Sequence, residues 1–142
     1  MEGLYLMRLS KMENSDFEKI CSHLEYLGYK IEFSEGFYIA KHQNKENLGL
    51  EKTYFGTRFL TFWVPRPDIE KHLEEYRIYI NSLNVVTILG SYHIQDNLNL
   101  YHRLFFFCPY EKQVFTTFME MMDHDFANLY DKDIGDASKY LA

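Results

Sequence analysis

The residues best suited to chemistry in this chain are Cys108, with His102 a few positions before it, and the run Asp123-His124-Asp125. Cys108 stands just ahead of a helical pattern, where the positive end of a helix lowers a thiol pKa. His102 lies on the strand pattern leading up to it. A thiolate with a histidine base is the minimum for nucleophilic catalysis. No orienting third residue and no oxyanion-hole motif accompanies the pair, so a small packed cysteine at a strand end is the favoured reading of Cys108. Metal ligands on one helix share a face only at i, i+3 or i, i+4 spacing. The polar residues of "MDHDF" are consecutive and fan out around a helix, which fits a solvated polar face better than a metal site. His72 has suitable spacing to Asp68 and Tyr76, whereas His23 and Glu18 do not, and single pairs of this kind arise often by chance. HExxH, CxxC, GxGxxG and P-loop patterns are missing. No catalytic, cofactor-binding or metal-ligating residue is therefore assigned, and no cofactor is expected.

The bulk composition narrows the function classes. The chain has 142 residues, 46% hydrophobic and 18% aromatic, with 12 Tyr and 12 Phe. That suits one domain, 1–142, with a sizeable core. The formal charge of −6 argues against nucleic acid as a partner, because phosphate binding needs a basic face. From Glu111 onward seven acids face three bases. Two cysteines, Cys21 and Cys108, make no disulfide framework. The opening "MEGLYLMRLSKMENS" lacks a signal-peptide pattern, and no apolar run reaches membrane-spanning length. The expectation is a cytoplasmic protein with no membrane partner.

Three helical and several strand patterns must position any site. In "SDFEKICSHLEYLGY", Ser15 and Glu18 form a capping box, and Phe17, Ile20, Cys21, Leu24 and Leu27 share one face. Gly28 suits the left-handed position past its end. "YKIEFS" and "FYIAKHQ" flank a Glu35-Gly36 turn, and "LGLEKTYF" and "TRFLTFWV" continue the meander until Pro65 and Pro67. "PDIEKHLEEYRIYINSLN" reads as a helix with Ile69, Leu73, Tyr76, Ile80 and Leu83 buried. The strands "VVTILGSYHI" and "LNLYHRLFFF" follow, joined by a Gln95-Asp96-Asn97 hairpin. A last helix buries Val114, Phe118, Met121, Met122, Phe126 and Leu129. Residues 1–13 read as an arm, either a short strand or a docked segment. Residues 131–142 read as a polar tail that Ile134 and Leu141 can anchor. The class is α+β, in the order α-β-β-β(-β)-α-β-β-α, an antiparallel sheet with helices mainly on one face.

Asn81 and Asn84 stand one turn apart where the second helix gives way to a strand, with Asn84 as its C-terminal cap. This Asn-x-x-Asn ending into "VVTILGSYHIQDNLNL", with the earlier "LGY" and "KIEFSEGFYIAKHQ", resembles the YbjN-type family of bacterial proteins, which are named as sensory transduction regulators. The likeness runs from Phe17 to Leu129 as an order of elements, and departs from the family pattern in "QNKENLGLEKTYFGT". It implies the fold of class I type III secretion chaperones. Those are small, acidic, dimeric cytoplasmic proteins that bind extended segments of secreted clients. No catalytic residues come with the resemblance.

Alternation on the strands carries the functional expectation. One face of "LNLYHRLFFF" bears Leu98, Leu100, His102, Leu104 and Phe106, and the other Asn99, Tyr101, Arg103, Phe105 and Phe107. "TRFLTFWV" divides into Leu60, Phe62 and Val64 against Phe59 and Trp63. A sheet covered by helices on one side should be polar on the other, and this one is aromatic on both. Either the second face is an interaction surface, or the N-terminal arm or C-terminal tail covers it. In the first case Phe59, Trp63, Tyr101 and Phe105 are the contact candidates, and a homodimer is the simplest way to hide them. The expected function is a non-enzymatic module that binds a protein segment or itself. The alternative is a small thiol-dependent enzyme or ligand-binding domain using Cys108 and His102.

Overall fold

A computed structural model describes residues 16–107 and 109–142. The arm 1–13, the Ser15 cap and Cys108 lie outside the described residues. The elements are α1 (16–26), β1 (Lys30–Ser34), β2 (Phe37–Lys41), β3 (Leu48–Lys52), β4 (Gly56–Trp63), α2 (Leu73–Val86), β5 (Ser91–Ile94), β6 (Leu100–Phe107) and α3 (Lys112–Ala127). A 3₁₀ turn, Ile69–His72, leads into α2. Among the described residues, six strands form one antiparallel sheet in the order β1-β2-β3-β4-β6-β5, which with three helices makes an α+β fold.

The turn chemistry explains the local structure. Gly28 has φ +99, and the N–H groups of Gly28 and Tyr29 donate to Glu25 and Leu24 carbonyls, which ends α1. Glu35 and Gly36 both have positive φ, the requirement of a tight hairpin whose twist matches its strands. The β5–β6 hairpin differs from expectation: its left-handed residue is Leu98 (φ 64), while Asn97 Oδ1 accepts from Asn99 N–H. A leucine there costs about 1 kcal/mol. The Tyr76 hydroxyl donates to its carbonyl at 3.1 Å and holds the turn. α2 also outlasts its expected end. Val85 and Val86 complete the helix, and Thr87 is the first extended residue, so β5 is shorter than the expected 85–94 strand.

The chain divides into two compact units: the described residues up to Thr61 with Phe105–Thr117, and Phe62–Leu104 with Phe118–Ala142. In the first, Tyr38 pairs with Leu50 and Leu50 with Phe59, while Ala40 pairs with Leu48. These residues share the face on which Phe17 meets Tyr38 at 4.8 Å and Phe115 meets Phe106 at 5.1 Å. The other face of these strands carries ion pairs, Glu32 with Lys41 at 3.0 Å and Glu51 with Arg58 at 2.9 Å.

In the second unit Ile69, Tyr76, Tyr79, Ile80, Leu83, Tyr92, Leu100 and Leu129 form the core. Residues 131–142 form a docked strap along this core. The Tyr140 ring stacks on Tyr79 at 5.1 Å and on Tyr76 at 5.9 Å, both at 21°. Its carbonyl accepts from Arg66 N–H, and Ala142 N–H donates to the Val64 carbonyl. Ile134 and Leu141 pack against the core, as their apolar character suggested.

Candidate functional site

In the second unit, β5 and β6 pair in a register that sets Ser91 opposite Arg103 and His93 opposite Tyr101. Side chains alternate across a strand. The intervening Tyr92 and His102 are buried and turn to the helices, so these four residues occupy the outer face. Phe62 joins them from β4. It is 55% exposed, and its ring lies 5.7 Å from that of Tyr101. His93 stacks on the other side of Tyr101 at 5.8 Å and 19°. The result is a row of three rings, Phe62, Tyr101 and His93, with Arg103 exposed beside it. Burial, followed by the charge of Arg103 and then His102, lowers the His93 pKa, so its ring is neutral at pH 7.

The helix-facing side of the same strands explains why this patch is firmly placed. Asp125 is fully buried, and its carboxylate accepts N–H groups from Ile88 at 2.7 Å, Leu89 at 3.2 Å and Gly90 at 3.0 Å. His102 Nε2 lies 3.1 Å from the same carboxylate and donates to it. The Tyr92 hydroxyl donates to the Asp125 carbonyl at 2.6 Å. Burial by itself would raise the Asp125 pKa. The His102 hydrogen bond and those from Ile88, Gly90 and Leu89 outweigh it and hold the carboxyl below its usual range. Gly90 is required for the approach: a Cβ there would fall 2.6 Å from His102 Nε2. Asn84 completes the support. Its Oδ1 accepts from Tyr92 N–H at 2.7 Å, and its Nδ2 donates to the Tyr92 carbonyl at 2.8 Å. These two bonds occupy the outward backbone groups of Tyr92 on β5, which ends the sheet.

No family model matches the chain, and no curated protein matches it. Among solved structures, its fold superposes on one described as "Crystal structure of YbjN, a putative transcription regulator from E. coli", with a TM-score of 0.65 over 89% of this chain and 95% of that one. The chain has the fold of YbjN. At 12% identity the likeness is one of fold. It bears out the element order read from the Asn84 region and the two hairpins.

On this YbjN-like sheet the four expected contact residues divide between faces. Tyr101 is on the outer row. Phe105 is half-buried on the outer side of β6 in the first unit, 4.7 Å from exposed Phe107. Phe59 is instead 1% exposed and packs on Phe115, so it is a core residue. Trp63 is half-buried on the helix side. It lies 5.5 Å from Phe126 and 5.9 Å from Tyr92, and lines a cavity of about 500 Å³ with the C-terminal strap. The correction has a simple cause: each strand alternates as expected, but a single strand does not reveal which of its faces matches which face of its neighbour. Phe62, which the sequence placed opposite Phe59, belongs with Tyr101. Asp125 is a second correction, since it is buried while His124 is exposed. His102 is engaged by Asp125 and enclosed by Tyr92 and Phe126. The remaining thiol, Cys21, has its pKa pushed up to about 11 by burial and by Glu25 and Glu18, the reverse of activation.

Proposed function

We propose that the protein is a non-enzymatic binding module that recognises a protein segment through the outer ring row of its second unit. The observation that carries this reading is the exposed Phe62 ring against Tyr101, on a face opposite the buried core. Aromatic side chains offer large contact area at low entropic cost, and they concentrate the energy of interfaces. The engagement of His102 in a structural hydrogen bond supports a binding role over the thiol-dependent alternative. A regulatory role, as in the description of YbjN, and a cytoplasmic setting are part of the proposal.

The test compares the whole chain with a Phe62→Ser variant. Binding of short labelled peptides that alternate apolar and polar residues is measured by fluorescence anisotropy. The variant should keep the parent's melting temperature and bind at least about tenfold more weakly, the loss of one interface ring. Equal binding by both proteins contradicts the proposal.

A further inference from the structure

The outer row has a charge character as well as an apolar one. None of its five residues, Phe62, Ser91, His93, Tyr101 and Arg103, carries a carboxylate. Arg103 is exposed, and among the described residues its side chain has no ion-pair or hydrogen-bond partner. By contrast, Arg58, on the outer side of β4 in the first unit, is paired with Glu51 at 2.9 Å. An uncompensated arginine beside aromatic rings, in a chain of net charge −6, is a local reversal of sign. Covering Arg103 with an apolar or cationic surface would remove its hydration and give nothing in return. Two copies of this patch face to face would bury two arginines with no acid from either.

We infer that the outer row of β4, β5 and β6 takes an acidic segment of a different protein, with a carboxylate on Arg103 and an apolar or aromatic side chain against Phe62 and Tyr101. The inference rests on the function proposed above and narrows its partner. Tyr101 and Arg103 are two residues apart on one strand and share a face. An extended segment laid along them matches if its acid and its ring are also two residues apart. Guanidinium and carboxylate then make charge-assisted hydrogen bonds, and the rings exclude water from them.

A fluorescein-labelled peptide of Glu-Ser-Phe-Ser repeats presents acid and ring on one side of an extended chain, and a Lys-Ser-Phe-Ser peptide is its counterpart. Anisotropy titrations with the whole chain should show the acidic peptide bound about tenfold more tightly, with the difference shrinking as salt is raised. Arg103→Glu should reverse the order, and Arg103→Gln should abolish it. Arg103 is exposed, so both variants should melt with the parent. Equal binding of the two peptides, weakened in both cases by Phe62→Ser, overturns the acidic partner and leaves the binding face standing. Binding of neither peptide overturns both.

Discussion

Asp125 shows how much one buried acid can organise. It gathers three consecutive amide N–H groups and His102 and thereby fixes the loop that feeds β5. Its sequence context pointed elsewhere, because the adjacent Asp123 and His124 suggested a wet surface. The signal was nevertheless present: Asp125 stands seven residues after Phe118 and three after Met122, on the stripe that both occupy. Val114 erred in the opposite sense. It is 52% exposed while Phe115 takes the buried place, because the stripe runs through 115 and 119. The lowered pKa of Asp125 has a consequence for stability. The unfolded carboxyl titrates near about 3.9, and the folded one below that. Its contribution is therefore fully present above the unfolded value and is lost as pH falls through the folded one. Asp125→Asn should destabilise the protein by about 3 kcal/mol at pH 7 and flatten the acid limb of its stability curve. Urea titrations at several pH values measure both. An acid limb unchanged from the parent's would show that the pair carries no such weight.

At the scale of elements, the three helices, the Glu35-Gly36 turn and the alternation of β6 were legible, since each depends on residues close in sequence. The phase of β4 against β6 was not, because it is set by pairing across strands. The end of α2 was misplaced for a related reason. Asn84 looks like a cap in sequence, yet it sits inside the last turn and bonds to Tyr92 on β5. Asn84→Ala should cost about 2 kcal/mol for two lost hydrogen bonds and speed amide exchange at Tyr92. It should also bare an edge strand, with association that grows with concentration in sedimentation velocity. Unaltered exchange at Tyr92 would contradict this role. The strap 131–142 makes a separate prediction. Removing the stacked ring by Tyr140→Ala should lower stability by about 3 kcal/mol and raise the near-ultraviolet exposure of Tyr76 and Tyr79. A melting temperature equal to the parent's would mean that the strap is dispensable.

For the whole molecule, composition indicated an aromatic-rich, acidic chain, and the sheet shows where the aromatics are spent. Among the described residues ten aromatics are buried in the cores of the two units, and a minority, Phe62, Tyr101, Phe105 and Phe107 among them, lie on the outer side of the sheet. The central claim is that the minority around Phe62 are the working surface. The most direct measurement is a two-dimensional amide NMR titration of the labelled whole chain with the Glu-Ser-Phe-Ser peptide. The account predicts shifts concentrated at Phe62, Ser91, His93, Tyr101 and Arg103. Shifts concentrated instead on the exposed sides of α2 and α3, or around the Trp63 cavity, with the outer row unmoved, would contradict it.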